Sequence, residues 1–159
     1  MMRRILLFTV AACLAAPLAA QQVTKRFDYK PVDGIQAINV AIDKIKINQI
    51  VFKTGNGAGG PLRRSTAECV VRVDNDGQTP VAVGVAVAIL DGDGNIVAAG
   101  SGGTRVGWLS AGERDTSAIR FPFVYRNLDK AKTFMLTMEV EPKPPKEEKK
   151  PAPEPTPKP

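Results

Sequence analysis

The chain has 159 residues, a formal charge of +6, two cysteines and no histidine. Without histidine there is no Ser-His-Asp or Cys-His catalysis, no His-ligated zinc or copper and no imidazole pH switch, and two cysteines are too few for a thiolate metal cluster. Much of the positive charge lies at the ends, in Arg3 and Arg4 and in five lysines set against three glutamates beyond residue 142, which leaves the part between at about +2.

Residues 1–20 read as a secretory signal peptide: Arg3-Arg4, the apolar run ILLFTVAACLAAPLAA, then the polar pair Gln21-Gln22. Pro17 breaks the run, which falls short of the ~20 residues that span a bilayer, and no other stretch is long and apolar enough. Cleavage after Ala20 places Leu18 and Ala20 where small or aliphatic residues are needed and starts the mature chain at Gln21. The alternative is Val10-Ala11-Ala12-Cys13, which resembles a bacterial lipobox with Cys13 lipidated. Against it, the apolar run before Cys13 is short and apolar residues continue beyond it. Export and the absence of a concentrated basic stripe make nucleic acid an unexpected partner.

Residues 21–34 form a polar lead-in whose Phe27 and Tyr29 can tuck against a domain. Residues 35–53 alternate as one bent strand, with Ile38, Val40 and Ile42 on one face. A slip near Asp43 then brings Ile45, Ile47 and Val51 to that face. A short helix over 35–42 is the alternative, because Ile35, Ile38, Ile42 and Ile45 also sit at helical spacing. Residues 54–65 are loop by composition; the glycines lack the Gly-Lys-Ser/Thr that opens a phosphate-binding helix.

Residues 67–101 hold most of the folding information: three strands joined by turns at 74–77 and 91–95, both built from residues that tolerate positive φ. In the first strand Ala67, Cys69, Val71 and Val73 alternate with Glu68, Val70, Arg72 and Asp74, so Cys69 points inward as a small hydrophobe. With Cys13 removed it has no disulfide partner. The middle strand, 80–90, sets Val81, Val83, Val85, Val87 and Ile89 against Ala82, Gly84, Ala86 and Ala88. A β-branched face belongs in a core. The uncharged small-residue face is that of a central strand, covered by the chain or offered to a partner.

A Gly-flanked loop then carries Arg105 and Trp108, residue types enriched in binding hot spots, although an indole lidding the end of the sandwich core is the stronger reading of Trp108. Strand 115–124 turns Ile119, Phe121 and Phe123 inward, and Pro122 argues for an edge or a bulge. After a loop or single helical turn at 125–131, strand 132–141 buries Phe134, Leu136, Met138 and Val140. Residues 142–159 (PKPPKEEKKPAPEPTPKP) contain no core-forming side chain and favour an extended or disordered tail.

VAILDGDGNIVAAGS followed by LSAGE resembles the FxLYD-type and related Ig-like domains of exported bacterial proteins. Val87, Ile89, Leu90 and Asp91 stand in the first motif, and Leu109, Gly112 and Glu113 in the second. Val87 and Leu90 replace the family's aromatic residues. The resemblance covers about residues 67–141 and implies an all-β, antiparallel Ig-like sandwich of about seven strands, here over 35–141, which agrees with the turn spacing. It implies no catalytic residue and no cofactor. Asp91, Asp93 and Asn95 have the opening spacing of a calcium loop, but Ile96 and Gly102 stand where an EF-hand wants glycine and a carboxylate. A hairpin turn is the stronger reading. Glu139 and Glu141 are close enough for paired-carboxylate chemistry, yet belong to a solvent face. The function expected is a non-enzymatic exported module of the bacterial cell envelope that touches a protein or cell-wall partner. The rivals are a small-ligand or carbohydrate-binding domain using the Trp108 loop, and an accessory subunit that docks by a sheet face or edge.

Overall fold

The computed structural model describes residues 20–30, 34–55, 66–104, 107–121 and 125–144. The leader with Cys13, most of the Gly-rich loop, Arg105, Pro122, Phe123 and the tail from residue 145 lie outside them.

Eight antiparallel strands make two sheets: β1 (Gln21–Asp28), β2 (Ile35–Ile42), β3 (Ile45–Gly55), β4 (Thr66–Asn75), β5 (Val81–Leu90), β6 (Ile96–Gly103), β7 (Arg114–Phe121) and β8 (Thr133–Pro142). One sheet has the order β1-β8-β5-β6, the other β2-β3-β4-β7. The described residues contain one short 3-10 helix, Tyr125–Lys130, and no helix long and apolar enough to cross a membrane. The core is the set of alternating residues both sheets turn inward: Val40, Ile47, Ile50, Cys69, Val71, Val73 and Ile119 from one, Val83, Val85, Val87, Ile89, Phe134, Leu136 and Met138 from the other. Phe134 anchors one end, with Phe27 stacked on it at 5.3 Å and Phe52 edge-on at 5.0 Å; Tyr29 packs on Phe52 at 4.8 Å.

Three expectations need correction. The segment 35–53 is two strands, because Asp43 and Lys44 form a tight turn, with Asp43 at φ 50°. The slip in the alternation was the reversal of the chain. The bulge lies further on, between Ile47 and Gln49, and it turns Ile50 rather than Val51 into the core. Second, 67–101 is not one three-stranded unit: β5 and β6 pair, but β4 lies in the opposite sheet, so residues 74–80 arch across the core. Third, the lead-in is largely strand β1, paired with β8 from Gln21↔Val140 to Asp28↔Thr133.

Asn75 holds the arch. Its side chain is 1% exposed, and its Nδ2 donates toward the carbonyls of Thr79, Leu109 and Ser110, each at 3.0 Å, while its Oδ1 accepts from the Gly77 N–H at 2.9 Å. The β4–β5 arch and the β6–β7 connection are thereby tied at one point. Next to it the buried Asp74 carboxylate meets Arg72 at 3.0 Å and Arg114 at 3.1 Å.

The strand pairings are those of an Ig-type sandwich: β3-β4-β7 stand as A-B-E, and β8-β5-β6 as F-C-C′. The G position beside F is filled from the N-terminal side, by β1. Edges of the two sheets meet in pairs. On one side the Gln36 Nε2 donates to the Asp28 carbonyl at 2.7 Å and the Lys25 Nζ to the Asn39 carbonyl at 2.8 Å. On the other, Gly100 and Gly102 bring β6 onto β7. A Cβ at Gly100 would lie 2.8 Å from the Ile119 Cγ2 and 2.9 Å from the Arg120 carbonyl oxygen, and one at Gly102 would lie 2.7 Å from the Ser117 Oγ.

Candidate binding surface

β5 is central, flanked by β8 and β6, and its Val/Ile face is buried as its alternation predicts. Its other face is not covered by the described chain: Gly84 and Ala86 are exposed, Ala82 and Ala88 partly so. The neighbouring strands decide what that face becomes. β6 contributes Ala99 and Ser101, again small, while β8 raises a wall of Met135, Thr137 and Glu139. A floor of methyl and hydrogen side chains beside a taller row makes a shallow trough. Its larger part, about 440 Å³, lies over Ala86, Ala88, Ala99, Ser101, Met135 and Thr137. A smaller part of about 170 Å³ continues past Gly84 to Glu139. The β6 and β8 contributions are legible only as unremarkable outward positions, because a trough exists only when three strands are placed side by side.

Ala82 lines neither part; it lies opposite Glu141, which is exposed on the open face rather than in a cleft. A Cβ at Gly84 would meet only Glu139 atoms at 3.8 Å or more, so the glycine keeps the floor low without being required by packing.

Trp108 is partly buried in the β6–β7 connection. The next residue, Leu109, is buried and exchanges backbone hydrogen bonds with Val81 at 2.7 and 3.0 Å, which fixes the loop. The Lys143 ammonium lies 5.9 Å from the indole centroid, within cation–π range. Beside the indole is a groove of about 270 Å³ with Thr104, Glu113, Arg114 and Asp115. This groove shares no lining residue with the trough, so the two candidate surfaces are separate. Arg105, paired with Trp108 in the sequence reading, lies outside the described residues.

Asp91 is engaged in its own turn. Its Oδ1 accepts from the backbone N–H groups of Asp93 at 3.0 Å and Asn95 at 2.8 Å, and its Oδ2 accepts from the Asn95 amide at 3.1 Å. These bonds from Asn95, then from the loop backbone, hold the Asp91 carboxyl below its ordinary range. Asn95 turns a donor, not its carbonyl oxygen, toward Asp91. The geometry supports the hairpin-turn reading. The other acidic turn, 74–76, lies at the far end of β5, and Asp76 there is paired with Lys46 at 2.9 Å.

Cys69 is fully buried, between Phe52 and Ile119 in the sheet register. Burial pushes its thiol up to about 12, with a smaller contribution from Glu68, so it stays protonated and unreactive at neutral pH. No protein-family model and no curated protein matches the chain.

Proposed function

We propose that the protein is a non-enzymatic, exported Ig-like interaction module of the bacterial cell envelope, and that the outer face of the β1-β8-β5-β6 sheet is its docking surface. The observation that supports this reading is the trough. A central strand presents an uncharged small-residue face, the adjacent strand repeats it, and nothing described covers either. Its chemistry suits a protein partner with an apolar strip that fits between the methyl floor and the Met135–Thr137 wall, flanked by a basic group facing Glu139 and Glu141. Strand addition at an edge is less favoured, because the edges of the two sheets close on each other. The non-enzymatic part of the proposal rests on the residue inventory: no histidine and a buried, protonated thiol. The resemblance to FxLYD-type domains agrees with it.

The test is affinity capture from envelope extracts with wild type, Ala86→Arg and Gly84→Glu. Both substitutions lie on the solvent side and leave the core intact. The expected result is an unchanged thermal midpoint and loss of the specifically captured partner. Retention of the same partner by both variants overturns the assignment of the face.

The Trp108 groove supports a second reading, a small-ligand or carbohydrate site. A partly exposed indole beside two carboxylates and a guanidinium has the composition such a site needs. Titrating cell-wall glycans while following Trp108 fluorescence checks it; a flat response with every glycan removes it.

A further inference from the structure

The chain leaves the sandwich beside its single tryptophan. Past β8 the Lys143 N–H donates to the Pro80 carbonyl at 3.0 Å, and its ammonium lies 5.9 Å from the Trp108 ring centroid. Lys143 and Pro144 are both exposed, so the segment that follows starts on the solvent side of this corner. The groove of about 270 Å³ beside the indole is lined by Thr104, Trp108, Leu109, Glu113, Arg114 and Asp115. Backbone donors hold its two carboxylates in place. Glu113 Oε2 accepts from the Ser110 N–H at 3.0 Å, and Asp115 Oδ1 from the Thr116 N–H at 2.7 Å. The cation in this lining, Arg114, turns its guanidinium to the buried Asp74 carboxylate at 3.1 Å. An aromatic ring with two fixed anions beside it suits a proline-rich segment that carries regularly placed cations.

The chain supplies such a segment at the required place: from Lys143 it reads KPPKEEKKPAPEPTPKP. Polyproline II turns once in roughly three residues and rises about 3.1 Å per residue, so Lys143, Lys146 and Lys149 share one side, about 9 Å apart. Glu147 and Glu148 fall on the other two sides, away from anions that the lysine side faces. We propose that the Trp108 groove is the docking site of the chain's own C-terminal segment. The segment lies as polyproline II from Lys143 onward, its lysine side turned to the groove and Lys146 set against Glu113 and Asp115. No long loop has to close, because the segment departs beside the groove it occupies. A tether this short supplies an effective concentration on the order of millimolar, so contacts too weak to hold a free peptide suffice. The inference is independent of the docking face on the β1-β8-β5-β6 sheet, and a glycan at the indole would have to displace the tail.

The experiment is zero-length carbodiimide coupling of the full chain, read by peptide mass spectrometry. The expected product joins Lys146 to Glu113 or Asp115 within one chain. Its yield should not rise with protein concentration and should fall in high salt. Coupling of Lys146 only to carboxylates outside the groove, only between chains, or to none overturns the docking. Acrylamide quenching of Trp108 gives a second readout, with Lys146→Glu and Lys149→Glu combined. Both substitutions lie beyond β8 and leave the sandwich untouched. The indole should become more accessible in that variant, and equal quenching of the two proteins overturns the proposal.

Discussion

Asn75 does more for this fold than any charged residue around it, because its amide closes two inter-sheet connections at once. Asn75→Ala removes a donor from the carbonyls of Thr79, Leu109 and Ser110 and the acceptor of the Gly77 N–H, and should cost about 2–4 kcal/mol in urea unfolding. Asn75→Asp should also destabilise, since a carboxylate cannot donate to carbonyl oxygens. Cys69 makes a different prediction. Its folded pKa is raised from 9.0 to about 12, so the protonated thiol's contribution is complete below pH 9 and is lost as pH rises from there toward 12. Tyr29, raised by burial and by Cys69, adds in the same direction. Stability measured between pH 8 and 11 should therefore fall, and Cys69→Ala should flatten the slope. In native conditions the thiol should ignore thiol reagents that label it readily in urea. Asp91 acts at the opposite limit: its folded pKa is lowered, so the β5–β6 turn is held above the ordinary carboxylate value of 3.8 and loosens as pH falls below it. Amide exchange at Asp93 and Asn95 should rise there first.

At the scale of the elements, the glycines of β6 are set by approach rather than by turn geometry. Gly100→Ala or Gly102→Ala would push a methyl into β7 at less than 3 Å, and overpacking of this kind costs ~1–3 kcal/mol. Gly84→Ala, with nothing nearer than 3.8 Å, should be close to neutral in the same thermal scan. The contrast separates the closely packed glycines of β6 from the open-face glycine of β5. It also shows what could be read in advance. The inward faces of β5 and β8 were legible residue by residue, because a buried β-strand alternates with period two whatever it pairs with. Sheet membership was not legible. The 74–77 turn has hairpin composition, but whether two apolar strands lie side by side or face each other depends on Asn75 finding Leu109 and Ser110, residues more than 30 positions away. β1 was missed for a related reason: on an edge strand only Val23 and Phe27 turn toward the core, too few to stand out among Gln, Lys, Arg and Asp. Of the candidate surface, the β5 residues were visible, whereas the trough they share with β6 and β8 exists only in three dimensions.

For the whole molecule, β1 in the G position makes the fold a reordered Ig-type sandwich whose chain enters and leaves at one end, with Gln21 beside Val140. A permutant that joins Pro142 to Gln21 through a short turn and opens the chain between Lys30 and Pro31 restores the usual strand order. It should keep the wild-type thermal midpoint within a few degrees. The same arrangement governs timing. The first strand to emerge from a ribosome or a translocation channel is the partner of the last, so the β1-β8-β5-β6 sheet cannot be completed until residue 142 is free. Such distant pairing slows folding. In the permutant that loop is short, and stopped-flow refolding should be faster at equal stability. For a chain threaded through a narrow channel, as the proposed export requires, the delay would keep this sheet open until its last strand has crossed.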